Sequence, residues 1–273
     1  PVVSTPIVTG EVAEKNIPDR VRFNISSESG LNDGLAFLFV FLPIMLLTLP
    51  TGEAWGEWFV TGVMREVLAG AVMGVIAGFL SGKLFGWAMS RDLMEASAYG
   101  GFVVAMAILL VGLFALIGVN AIRGVFVASA VFGQVISQED EDAEDRDSEI
   151  ISRFFIIPIF ILLGMGLPLD AWAEMGRWVP VVLFLALMLR RMVTVWLLRP
   201  LYADLHSRAE TWFLGWFAAV GISALYYALL VERETGRADV FPYVTLVITL
   251  SLVVHGLTAT PFGAWLRRVE EGA

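Results

Sequence analysis

The chain has 273 residues, of which 58% are apolar and only 16% charged, against roughly 25% charged in ordinary soluble domains. Its mean hydropathy of +0.76 leaves too few polar side chains to dress a water-exposed surface, and the composition reads as a polytopic membrane protein. The absence of cysteine excludes a disulfide scaffold and thiolate zinc sites, and the net charge of −9 comes largely from one acidic run, so it describes a loop and not a nucleic-acid or lipid surface.

Along the chain, Pro1 to Gly10 is apolar but too short to cross a bilayer, and Pro1 and Pro6 make it look like half of a broken helix. Hydrophobic runs near the length that crosses ~30 Å of hydrocarbon predict eight spans, at about 24–49, 63–86, 97–117, 119–137, 151–169, 178–198, 212–231 and 240–261. They are read as helices because lipid offers the backbone no partners, and the short alternating segments of a β-barrel do not occur. Glu53 to Phe59 is expected to lie as a short interfacial helix, with Trp55, Trp58, Trp172 and Trp178 as belt anchors at the outer interface. Gly70, Gly74, Gly78, Gly82 and Gly86 put a small residue at every fourth position, a stripe expected to admit a neighbouring helix inside the scaffold or to lie in a dimer seam. Glu139 to Glu149 carries eight acids and one arginine. It reads as a solvated cytoplasmic loop, the alternative being a cation-attracting or pH-sensing mouth. Pro158, Pro180 and Pro242 are expected to kink or start helices.

Basic residues orient the chain. With the C-terminus cytoplasmic, the inner loops hold Lys15, Arg20, Arg22, Lys83, Arg91, Arg146, Arg153, Arg199, Arg208, Arg267 and Arg268, and the outer loops Arg65, Arg123, Arg177, Arg233 and Arg237. Eight crossings then place residues 11–22 inside as well.

Charges within the spans carry the sharpest signal. The run Ser26-Ser27-Glu28-Ser29-Gly30-Leu31-Asn32-Asp33-Gly34 precedes an almost wholly apolar stretch to Leu49. Asp33 lies ~16 Å along the axis from Arg22, close to the bilayer midplane, where an acid is costly and points to function. Asn32 shares a face with Glu28, and Ser29 stacks beneath Asp33. Glu28 and Asp33, about 140° apart at 3.6 residues per turn, border one cavity without touching. Oxygen ligands of this kind suit a hard monovalent cation, and a carboxylate can exchange a cation for a proton. Arg190 and Arg191 stand in another span, about 100° apart, so at most one faces a given partner. Either snorkels to the interface, or one holds a carboxylate such as Glu28. His255, inside the last span, is either a packed, hydrogen-bonded ring or a proton sensor. His206 falls in a loop.

Arg22-Phe23 leading into Ser27-Glu28-Ser29-Gly30-Leu31-Asn32-Asp33-Gly34-Leu35-Ala36-Phe37 resembles the Asn-Asp motif of the monovalent cation:proton antiporter family, in its prokaryotic sodium/proton exchanger branch. Glu210-Thr211-Trp212-Phe213-Leu214-Gly215-Trp216-Phe217 is similar to the start of that family's second broken helix, and Val253-Val254-His255-Gly256-Leu257-Thr258-Ala259-Thr260-Pro261 to its last span. The resemblance implies an all-α inverted-repeat fold, with a core domain in residues 1–50 and 178–273 and scaffold and dimerisation spans in 51–177. It implies Asp33 as ion and proton carrier, Glu28 and Ser29 as supporting ligands for Na+ or K+, and Asn32 as the brace of a broken helix. Arg191, in Arg191-Met192-Val193-Thr194-Val195, is the better match for the family arginine, with Met192 replacing a proline.

The resemblance further implies a homodimer in the cell (inner) membrane and no cofactor beyond the transported ions. It places a Thr-Asp pair just upstream of Pro1, so the chain is expected to be the C-terminal portion of a longer protein. Val220 stands where the branch carries an arginine, whose charge is then absent or supplied elsewhere. The expected function is exchange of a monovalent cation for protons by alternating access. The alternative is a non-transporting membrane subunit, sensor or truncated fragment, with a channel less favoured. An enzyme is not expected, since no His/Glu spacing of a metal site occurs.

Overall fold

Apolar segments with no water to meet must satisfy their backbone within themselves, and among the described residues every regular element is a helix. The computed structural model describes residues 17, 19–94, 99–119, 121–136, 157–201, 207–217 and 220–271, with the side chains at 19–20, 22–23, 26–27, 29–35, 122–123 and 270–271 left out. The expected half-helix at Pro1–Gly10, the acidic run and His206 lie outside the described residues.

The helices are α1 (Asp19–Thr48), α2 (Thr51–Glu57), α3 (Gly70–Ser90), α4 (Tyr99–Ile117) and α5 (Ala121–Val135). After them come α6 (residues 157–165), then α7 (Leu169–Glu174), α8 (Val179–Leu198), α9 (Arg208–Trp216), α10 (Ile222–Thr235) and α11 (Val240–Glu271). Among the described residues, four stretches are long and apolar enough to cross a membrane: Thr51–Ser90, Tyr99–Ile117, Val179–Leu201 and Val240–Val269. Ala36–Thr48 and Gly124–Val135 are shorter apolar helices.

Two expectations about continuity change. Glu53–Phe59 is not a separate interfacial helix. It opens a helical run of 40 residues, Thr51–Ser90, in which Trp58–Ala69 is wound as a π-helix between α2 and α3. No proline interrupts this run, so nothing stops the first turn from propagating. Conversely, the span expected at 212–231 is two helices, α9 ending at Trp216 and α10 beginning at Ile222.

The chain divides into two compact units, one of Pro1–Val40 with Leu167–Ala273, the other of Phe41–Gly166. In the second unit, Leu110, Phe114 and Ala128 are buried against Met73, Ala77 and Met106. Phe85 meets Tyr99 edge-on at 5.5 Å and Phe132 at 5.9 Å, the geometry aromatic quadrupoles prefer. α4 ends at Gly118, whose left-handed φ of 77° suits glycine, and Arg65 Nε donates to the Gly118 carbonyl at 3.1 Å.

A Cβ on Gly78 would lie 2.2 Å from the Ala128 carbonyl oxygen, one on Gly74 2.6 Å from that of Gly124, and one on Gly82 2.7 Å from Val135. The stripe is the seat of α5 on α3, within one unit. Gly86 meets nothing within 4 Å. Gly78→Ala is therefore expected to cost about 3 kcal/mol, the upper end of overpacking, because it meets backbone. Gly86→Ala, in the same helix, is expected to be neutral or slightly stabilising. Thermal unfolding of the two purified variants side by side checks this, and equal midpoints would refute it.

In the first unit, Val21 and Ile25 of α1, Val195 of α8, Phe213 and Leu214 of α9, Phe217, and Ala259 and Leu266 of α11 form one buried cluster. α10 closes on Gly236, in the left-handed region at φ 71°, a helix stop that any side chain would strain. In the turn that follows, Arg237 Nη2 meets Asp239 Oδ2 at 2.8 Å, which holds the Asp239 carboxyl below its ordinary range.

Candidate functional site

A carboxylate taken out of water needs a counter-charge and a guanidinium needs acceptors. Glu28 and Arg191, separated by 163 positions in the chain, meet that need together. Arg191 donates through both terminal nitrogens, Nη1 to Glu28 Oε1 and Nη2 to Glu28 Oε2, the latter at 2.7 Å. This is the two-pronged match of planar fork to carboxylate that lysine cannot make. The Arg191 side chain is 3% exposed and that of Glu28 29%, so the cation is the more desolvated partner.

The third donor of Arg191 fixes a helix end. Its Nε gives a hydrogen bond of 2.7 Å to the Leu214 carbonyl, in the last turn of α9, where carbonyls lose their intrahelical donors and the dipole is negative. One guanidinium thus ties α8, α1 and α9 together. Close approach makes this possible: Gly215 lies so near α8 that a Cβ there would sit 2.9 Å from Met192 Sδ and 3.4 Å from Met192 Cα. Met192, which stands where a proline was expected, is the residue that Gly215 accommodates.

The N-terminus of α9 is written locally. Ser207 Oγ accepts from the Glu210 amide at 3.1 Å and Glu210 Oε2 accepts from the Ser207 amide at 3.0 Å, a reciprocal capping box. Glu210 and Thr211 are fully buried there. The helix runs for nine residues and stops at Trp216. α10 begins six positions later at Ile222.

Packed against that interruption is α11. Trp216 Nε1 donates to Thr258 Oγ1 at 2.9 Å, and the Val220 amide donates to Ser251 Oγ at 2.8 Å. His255, completely buried, has Nε2 3.0 Å from the Trp216 carbonyl oxygen and Nδ1 2.7 Å from that of Ser251. The Val220 side chain is buried and apolar.

The structure therefore brings Glu28 and Arg191 together and leaves Arg190, the neighbouring candidate about 100° round α8, exposed. Ser29, Asn32 and Asp33 lie on α1, which is continuous through them, and their side chains are outside the description. Among the described residues no group of three or more His, Cys, Asp or Glu could hold a metal ion. Sequence reasoning missed the Leu214 carbonyl as an acceptor, and Ser251 and Thr258 as partners of the interruption. It also passed over the Ser207 cap, for which Ser-x-x-Glu was a readable signal.

A family model described as sodium/hydrogen exchanger, transmembrane, matches residues 1–265. Among curated proteins, the chain is 28% identical over 289 residues to Na(+)/H(+) antiporter 2 of Zygosaccharomyces rouxii, covering 94% of this chain and 35% of that protein. It is 28% identical over 287 residues to a Na(+)/H(+) antiporter of Saccharomyces cerevisiae, covering 94% and 29%. With a Na(+)/H(+) antiporter of Schizosaccharomyces pombe it shares 27% over 289 residues, covering 97% and 62%. The chain thus spans between about a third and three fifths of the length of these relatives, all of them fungal.

Proposed function

We propose, on the premise that this chain belongs to the transmembrane sodium/hydrogen exchanger family, that the complete protein exchanges a monovalent cation, Na+ or K+, for protons across the cell membrane. The observation that carries the reading is the family match across nearly the whole chain. The geometry supports it with a feature a mere scaffold has little use for: a buried guanidinium that holds both a carboxylate and the end of an interrupted helix. Interrupted helices put partial charges and free backbone groups inside a membrane, where a transported ion can meet them.

On this reading the Asp33 carboxylate takes either the cation or the proton, and each excludes the other. Glu28, Ser29 and Asn32 complete the surroundings of the site. Arg191 balances Glu28 when no cation is present, with Arg190 adding positive charge nearby. Exchange results when the loaded carboxylate is offered alternately to the two sides by movement of the core against the scaffold. The protein works as a homodimer with its C-terminus in the cytoplasm, and His255 is the candidate for sensing pH.

The test is cation-induced dequenching of a pH dye in everted vesicles carrying the complete protein. Dequenching by Na+, K+ or Li+ is the expected result, and the responding ion names the cargo. No response to any of them, from protein shown to be folded and inserted, would favour a non-transporting subunit, with Val220 in the arginine position as the first residue to revert.

A further inference from the structure

Where a helix stops inside a membrane protein, the last carbonyls of one segment and the first amides of the next must be satisfied by side chains, because no lipid atom can do it. Several backbone groups on either side of the gap have identified partners. The Phe217 amide returns to the Phe213 carbonyl at 3.1 Å. Arg191 serves the Leu214 carbonyl. The Trp216 carbonyl and the Val220 amide, one on each side of the gap, both turn to α11, the first to His255 and the second to Ser251.

These two residues also contact each other. Ser251 Oγ lies 3.1 Å from His255 Nδ1, one turn apart on the same helix face. The hydroxyl accepts the Val220 N–H through a lone pair, which leaves its own hydrogen free to point at the ring. A carbonyl only accepts, and each ring nitrogen faces one, Nε2 that of Trp216 and Nδ1 that of Ser251, so a neutral ring donates to one of the two. With the proton on Nε2, the ring donates across the gap and Nδ1 takes the hydrogen of the Ser251 hydroxyl.

Thr245 and Thr249 on the same helix return their hydroxyls to carbonyls one turn back, Phe241 and Thr245, at 2.9 Å each, as hydroxyl residues in helices ordinarily do. The Ser251 oxygen receives an amide from another segment, and both Ser251 and His255 are 0% exposed. His255 packs near the rings of Trp216 at 6.4 Å and Phe217 at 5.9 Å.

We propose that Ser251 and His255 are positioning residues for the exchange: together they clamp the two open ends of the interruption, the Trp216 carbonyl and the Val220 amide, and so set the spacing of the backbone groups that the ion passes. The proposal rests on the exchange reading above. It differs from a structural capping role in what it predicts for transport, since displaced backbone groups weaken cation binding without removing the carrier carboxylate.

Two measurements on the complete protein decide it. In hydrogen–deuterium exchange, Ser251→Ala is expected to raise the exchange rate of the Val220 amide about tenfold, the loss of one buried hydrogen bond. In vesicles, Ser251→Ala and His255→Leu are each expected to raise the apparent KM for the cation about tenfold while the maximal rate changes less than threefold. His255→Gln, which keeps an N–H donor near the Trp216 carbonyl, is expected to recover part of the loss and serves as the foldable comparison if His255→Leu does not accumulate. Unchanged exchange at Val220 in Ser251→Ala overturns the clamp. Faster exchange at Val220 with an unchanged KM overturns the positioning role. A wild-type protein that moves no cation overturns the exchange reading instead, and the amide measurement then still decides the clamp.

Discussion

Arg191→Met is expected to destabilise the unit of Pro1–Val40 and Leu167–Ala273 by about 3–5 kcal/mol, the range for breaking a buried ion pair from one side. Two losses combine. The Glu28 carboxylate stays behind without its counter-charge, and the Leu214 carbonyl loses the donor at 2.7 Å that stands in for an intrahelical bond. The 29% exposure of the Glu28 side chain lets it turn partly to water, which moderates the first loss. Nothing comparable relieves the second.

Companion variants are expected to follow a definite order. Arg191→Lys keeps a charge but not the planar fork, so it can serve Glu28 or Leu214 and not both. Its cost should fall between wild type and Arg191→Met. Adding Glu28→Gln to Arg191→Met removes the stranded charge, and the double variant is expected to be more stable than Arg191→Met alone, the signature of coupled partners. Thermal unfolding of the purified complete protein in detergent gives the order. An Arg191→Met protein within about 0.5 kcal/mol of wild type, the scatter of ordinary surface substitutions, would mean the pair contributes nothing to the fold.

Asp33→Asn is expected to abolish exchange while the protein still folds and inserts. Asparagine matches aspartate in size and keeps an oxygen ligand, so packing is conserved. It neither carries charge at any working pH nor takes up a proton, and competition between cation and proton for one group is the step on which the proposed exchange depends. Dequenching should fall to that of vesicles without the protein, for every cation tried. Exchange at the wild-type rate in a confirmed Asp33→Asn protein would sink the midplane carboxylate as carrier.

How much of this was legible in the chain depends on the range of the interaction. Helical type, the ends of the apolar runs and the glycine stripe are local, repeating every turn, and Gly70 through Gly82 could be read as a packing face before the partner α5 was known. The family could be read for a similar reason: Glu28 to Gly34 is a dense polar run in an otherwise apolar setting. The continuity of Thr51–Ser90 was not readable, because Gly52, Gly56 and Gly62 weaken a helix without stopping it. The pairing of Glu28 with Arg191 and not Arg190 follows from which side of α8 faces the core. Two arginines side by side do not disclose that, and in the sequence it is the family resemblance alone that favours Arg191. Of the partners of the interruption, His255 stands out as a histidine inside an apolar span, though its contacts do not; Ser251, on the same later helix, looks in sequence like an ordinary polar residue.

The division of the chain has a consequence for the order in which it can be made. The unit of Phe41–Gly166 is contiguous, so a ribosome that has released residues up to 166 has delivered all of it, and its α3–α5 seat can form at once. The other unit is assembled from segments on both sides of that insert. Until Arg191 emerges, Glu28 waits on a nascent chain without its partner, and until α11 emerges the gap after Trp216 has nothing from that helix to close against it. Such a split assembly pays its loop-closure entropy late. The interval between synthesis of Gly166 and of Leu266 is when a translating chain is most exposed to misassembly and to quality control.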